Sequence, residues 1–149
     1  MRPLVKFWSL PRREKQFFCE AATLLLLTNL CVRMIAFRHI DGFLRSHWND
    51  GAQVGGNNHA CDIELVKLSL SRAANLLPWQ SLCLSRSIAA YIMLRRRDIP
   101  AVMFAGVKSR EDLSLLAHAW VQTAGGVIDG NPEAAFTPLL RIGQEPGDR

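Results

Sequence analysis

Leu115-Leu116-Ala117-His118-Ala119-Trp120-Val121-Gln122-Thr123-Ala124-Gly125-Gly126-Val127-Ile128-Asp129 is the stretch on which the fold turns. Ala124-Gly125-Gly126, set between two apolar runs, has the spacing of a tight antiparallel hairpin, so Leu115 to Thr123 and Val127 to Asp129 are expected as paired strands. A strand sends alternate side chains to one face, which groups His118, Trp120 and Gln122 and directs them toward a helix packed on the sheet. A histidine inside such an apolar strand either bonds a backbone carbonyl in the core or does chemistry. The antiparallel return can bring Asp129 beside His118, where a carboxylate would fix the imidazole tautomer and stabilise its cation.

Upstream, Asp98-Ile99-Pro100 breaks a helix and Ala101 to Val107 has strand character, followed by a polar loop from Lys108 to Asp112. The helix that ends there runs from Leu82 to Arg97, with Ser81 as its N-cap and Arg95, Arg96 and Arg97 suited to its negative end. Cys83 falls in its first turn, where free backbone N–H groups and the helix dipole favour thiolate over thiol. The same amides can stabilise a tetrahedral oxyanion, so one helix terminus serves both steps of acyl transfer. A lone cysteine is more often a buried apolar residue; what raises Cys83 above that is its company. Cys83 as nucleophile, His118 as base and Asp129 as orienting carboxylate make a triad, with Asp112 and Glu133 competing for the third place. Arg86, one turn from Cys83, and Trp79, Gln80 and Trp120 are candidates for lining the substrate, against the plainer roles of exposed arginine and core tryptophan.

Further out, a long helix is expected from Pro11 to about Phe37, then irregular chain from His39, with a Gly/Asn-rich loop over 51–58. Asp62 to Leu77 has apolar residues at helical spacing and Pro78 closes it. The tail after Pro138 reads as poorly ordered. Helix, helix, helix, strand, strand, strand is an α+β order, with a cysteine-bearing helix on a small antiparallel sheet. Residues 1–58 form an N-terminal helical extension and loop of the same domain, and residues 59–149 the core.

At 149 residues one domain is expected. The charge of +5 is concentrated early: residues 1–50 hold 8 Lys/Arg against 4 Asp/Glu. Such a bias favours association with an acidic partner or an anionic surface without specifying chemistry. The run Arg95-Arg96-Arg97 is accounted for by a helix end, so nucleic acid is not expected as a partner. Cys19, Cys31, Cys61 and Cys83 show no CxxC pair and are read as reduced thiols of a cytoplasmic protein. Phe17 to Ala36 is long enough to span a bilayer but contains Glu20, Asn29 and Arg33, which leaves membrane-peripheral contact as the alternative. His59 and Cys61 supply too few ligands for zinc.

Leu82-Cys83-Leu84-Ser85-Arg86-Ser87, Leu94-Arg95-Arg96-Arg97-Asp98-Ile99-Pro100-Ala101, Gly106-Val107 and Ala117-His118-Ala119-Trp120-Val121 resemble the transglutaminase-like leader peptidases of lasso-peptide biosynthesis, over about residues 60–140. The resemblance implies a papain-like core and a peptidase that cuts the leader from a ribosomally made precursor, so that a separate ATP-dependent cyclase can close the macrolactam. It implies Cys83, His118 and Asp129 in the roles above, no metal or organic cofactor, and a small separate leader-recognition protein as partner. Asp98 stands where family members often have Gly, and is expected to adopt a left-handed helix end. The alternatives are an acyltransferase or amidase using the same residues, and a non-catalytic peptide-binding module.

Overall fold

The computed structural model describes residues 11–48, 59–76, 83–109, 115–129 and 136–143. Its elements in chain order are α1 (Arg12–Met34), α2 (Phe37–Trp48), α3 (Ala60–Leu76), α4 (Cys83–Arg95), β1 (Ala101–Ser109), β2 (Leu115–Thr123), β3 (Gly126–Asp129) and β4 (Thr137–Ile142). The strands form one antiparallel sheet in the order β3-β2-β1-β4, and the helices pack on one of its faces, as an α+β order requires.

α4 is the centre of that packing. Ile88, Ala89, Ala90, Tyr91, Met93 and Leu94 are each at most 2% exposed, because α1 and α3 cover one side of the helix and β1 and β2 the other. Alanines at 89 and 90 keep the helix narrow enough to be enclosed. α1 starts at Pro11, whose carbonyl accepts from Lys15 N–H at 3.1 Å, and buries Phe17, Ala21, Leu25 and Thr28 at helical spacing. α3 does the same with Ile63, Val66, Leu70 and Ala73.

Two contacts tie α1 to α4 and to the residues just beyond its end. The Thr28 hydroxyl shares its proton between the Leu24 carbonyl of its own helix at 2.7 Å and the Ser85 carbonyl of α4 at 3.0 Å, and Glu20 pairs with Arg96 at 3.2 Å and with Arg97. Arg97 also donates to the Met93 carbonyl at 2.7 Å and lies 4.0 Å over the Phe17 ring, so the arginine run serves the helix end. Asp98 takes φ +55°, and Ile99 N–H returns to the Leu94 carbonyl at 3.1 Å. This is the left-handed stop expected of Asp98.

Three expectations are corrected. The N-terminal helix does not run on to Phe37: Ile35 is extended, at φ −120° and ψ 134°. The supposedly irregular chain from His39 instead contains most of α2, anchored by buried Leu44 and by Arg45, which pairs with Asp41 at 2.7 Å and donates to the Arg141 carbonyl at 2.9 Å. The tail beyond Pro138 contains β4, held to β1 by a ladder with a register shift at Ala105/Gly106. At that shift a Cβ on Gly106 would lie 2.6 Å from the Thr137 carbonyl oxygen, so only glycine admits the close strand approach.

Candidate active site

Cys83 is the first residue of α4, and its half-buried thiol opens onto a cleft of about 280 Å³. Gly106 and Val107 of β1, Ala117 and His118 of β2 and Leu140 of β4 also line it. The helix start places the thiol beside first-turn N–H groups that no residue within the helix can satisfy. Behind it, the Thr28 hydroxyl, shared with the Leu24 carbonyl, reaches the Ser85 carbonyl in the turn that carries Cys83.

His118 pairs in register with Gly106 across β1 and β2. Its ring lies 5.2 Å from that of Phe136 and 6.4 Å from that of Trp120, and Trp120 in turn stacks on Phe104 at 5.3 Å. His118 and Trp120 therefore share a face, as the alternation predicts. That face is not the one turned to α4. Met103 and Val121, opposed in the β1–β2 register, join the core with α4, and Ile142 joins them from β4; alternation then sends His118 and Trp120 to the other side of the sheet. Among the described residues neither the Cys83 thiol nor the His118 imidazole makes a hydrogen bond. Cys83 and His118 both border one cleft, but the imidazole itself packs on Phe136 and Trp120, on the face of the sheet away from α4.

Asp129 is set by register opposite Val121, with a shift between Val121 and Gln122. It is three residues along β2 from His118, about 10 Å of strand, and so is not its cross-strand partner. Trp79, Gln80, Asp112 and Glu133 lie outside the described residues. Arg86 is half-buried one turn beyond Cys83. Trp120, at 6% exposed, is a core residue of the aromatic face. Phe104, Phe136, Leu139 and Leu140 complete the surroundings of the two candidates and were not singled out by the sequence, because β4 was not foreseen and Phe104 has no polar atom to draw notice. Among the described residues no three His, Cys, Asp or Glu side chains come together as a metal would need.

The cysteine-headed helix laid on this antiparallel sheet coincides with a family pattern: the model of the transglutaminase-like superfamily matches residues 24–141. The chain belongs to the transglutaminase-like superfamily. That family includes cysteine peptidases and acyltransferases. Comparison with characterised proteins and with solved structures finds no match. The matched region takes in the second half of α1 as well as α4 and the sheet, so the transglutaminase-like core extends into the buttress behind Cys83.

Proposed function

We propose that this transglutaminase-like protein is a cysteine peptidase that removes the leader from a ribosomally made lasso precursor. The observation that carries the reading is the placement of Cys83 at the N-terminus of α4, on a cleft that His118 also borders. Its further support is the set of motifs from Leu82 to Val121 that resembles the leader peptidases. In this reading the precursor lies extended along the cleft. The thiolate attacks the scissile carbonyl, α4 first-turn amides hold the oxyanion, and His118 protonates the departing amine. Water then attacks the thioester, with His118 accepting its proton, and releases the leader carboxylate. Because the imidazole rests on Phe136, on the face of the sheet away from α4, this reading requires β2 to turn His118 into the cleft when precursor binds. Asp129 was expected to orient His118, but its register opposite Val121 gives it no part in this reading. A separate leader-recognition protein delivers the precursor, and the ATP-dependent cyclase takes the product.

The test is to incubate the protein with the precursor and the leader-recognition protein and follow leader and core by mass. Cleavage lost in both Cys83→Ala and His118→Ala, with folding retained, supports the reading; cleavage unchanged in Cys83→Ala refutes it. Adding a competing amine separates the acyltransferase reading, since only transfer gives an amine-modified product. The non-catalytic binding module draws on one observation, the turning of His118 away from the α4 face. It predicts precursor binding without any chemical change.

A further inference from the structure

α1 is apolar on two sides and only one of them is covered. Phe17, Ala21, Leu25 and Thr28 face α3 and α4, while Leu26, Leu27, Leu30 and Met34 are exposed, Leu30 at 58% and Met34 at 76%. At about 100° per residue these four fall within one arc of roughly 100°. Leu27 also borders an apolar hollow of about 380 Å³ between α1, α2 and α4, on whose far side stands exposed Phe43. The exposed aliphatic arc and the hollow make one continuous surface at the C-terminal end of α1.

The charge around this surface has one sign. The acids of the two helices are drawn inward or neutralised: Glu14 pairs with Arg72, Glu20 with Arg96 and Arg97, and Asp41 with Arg45. From Ala21 to Met34 there is no acid at all. Arg33 and Arg38 are exposed and, among the described residues, have no ion-pair partner. α1 has the length and composition of a membrane span, with a mean hydropathy of 1.5 in its most apolar window, yet its other side is committed to the domain core. Such a helix can lie on a bilayer and cannot cross one while the domain stays folded. Its outward arc is aliphatic, which asks for an apolar medium rather than for directional partners, and its cations ask for negative charge.

We infer that the α1–α2 face seats the protein on an anionic membrane surface, with Leu26, Leu30 and Met34 entering the interface and Arg33 and Arg38 on lipid phosphates. This is independent of the peptidase reading. The test is co-sedimentation of the full chain with phosphatidylcholine vesicles with and without phosphatidylglycerol, for the wild type, Leu30→Glu, Met34→Glu, Arg33→Gln and Arg38→Gln. Circular dichroism and thermal melting of each variant confirm that these exposed positions leave the fold intact. Expected are binding to the phosphatidylglycerol vesicles that weakens as salt rises, loss of binding in either glutamate variant, and about fivefold weaker partitioning for each arginine removed. Absence of wild-type binding to the phosphatidylglycerol vesicles overturns the inference, as does binding that the glutamate variants leave unchanged. A wild-type dimer that Leu30→Glu returns to monomer, without vesicle binding, also overturns it and gives the face to a second copy.

Discussion

α4 and α1 are both apolar helices, and they spend that character differently. α4 is enclosed on nearly every side, from Ser85 to Arg95, and so holds its first residue, Cys83, in a fixed place. α1 buries one stripe and leaves the opposite one bare. Composition alone would rank α1 as the deeper of the two, since it is the one with a membrane-like window. Burial reverses that order: the helix with serines and a tyrosine is the core, and the leucine-rich helix is half surface. In the proposed reading the chemistry is mounted on the enclosed helix, and the inferred association surface on the bare one.

The comparison can be broken in several places. Cys83→Ala should lower precursor cleavage by about 10⁴-fold or more, while Cys19→Ser, on exposed α1, should leave it unchanged; mass analysis of timed reactions distinguishes them. In the core, Leu94→Ala on α4 and Leu25→Ala on α1 should each cost roughly 3 kcal/mol in denaturant unfolding, whereas Leu30→Ala, on the bare side of the same α1, should stay within about 0.5 kcal/mol. Gly106→Ala should cost about 1–3 kcal/mol, because the added Cβ meets the Thr137 carbonyl and pushes β4 from β1. Thr28→Val, which removes the hydroxyl shared by the Leu24 and Ser85 carbonyls, should cost about 1 kcal/mol.

The subtlest test uses pH. Burial raises the Tyr91 hydroxyl above its usual 10.0, opposed in part by Arg95 and Arg45. The folded state therefore keeps the Tyr91 proton where the unfolded chain loses it. This contribution is fully present below pH 10.0 and declines as pH rises toward the folded value. Tyr91→Phe should flatten the alkaline fall of stability in melts above that pH; an unchanged slope would contradict the burial account.

Much of this architecture can be read in the sequence where local signals agree. Pro78 and Asp98-Ile99-Pro100 bracket the cysteine helix, and Ala124-Gly125-Gly126 marks the hairpin whose turn is tied by Gly125 N–H to Thr123 Oγ1 at 3.2 Å. What escaped depends on distant partners. The chain from His39 reads as irregular, but α2 forms because Leu44 is buried and Arg45 reaches Arg141. β4 carries a proline and mostly exposed side chains, so only its ladder to β1 makes it a strand. The pairing of His118 with Trp120 on one face follows from alternation. Which face meets α4 does not, because Ala119, Trp120 and Val121 are all apolar and tertiary packing decides between them. In a regular ladder Asp129 would oppose Trp120; the shift at Val121/Gln122, a bulge that no turn residue announces, sets it opposite Val121 instead.

The central claim is that Cys83 forms a covalent bond to the precursor during cleavage. The direct measurement is intact-protein mass spectrometry of the wild type, quenched in acid during reaction with precursor, followed by peptide mapping across Cys19, Cys31, Cys61 and Cys83. The account predicts an added leader-acyl mass on Cys83, absent in Cys83→Ala. Cleavage that proceeds in Cys83→Ala, with no adduct on the wild-type thiol, would contradict it.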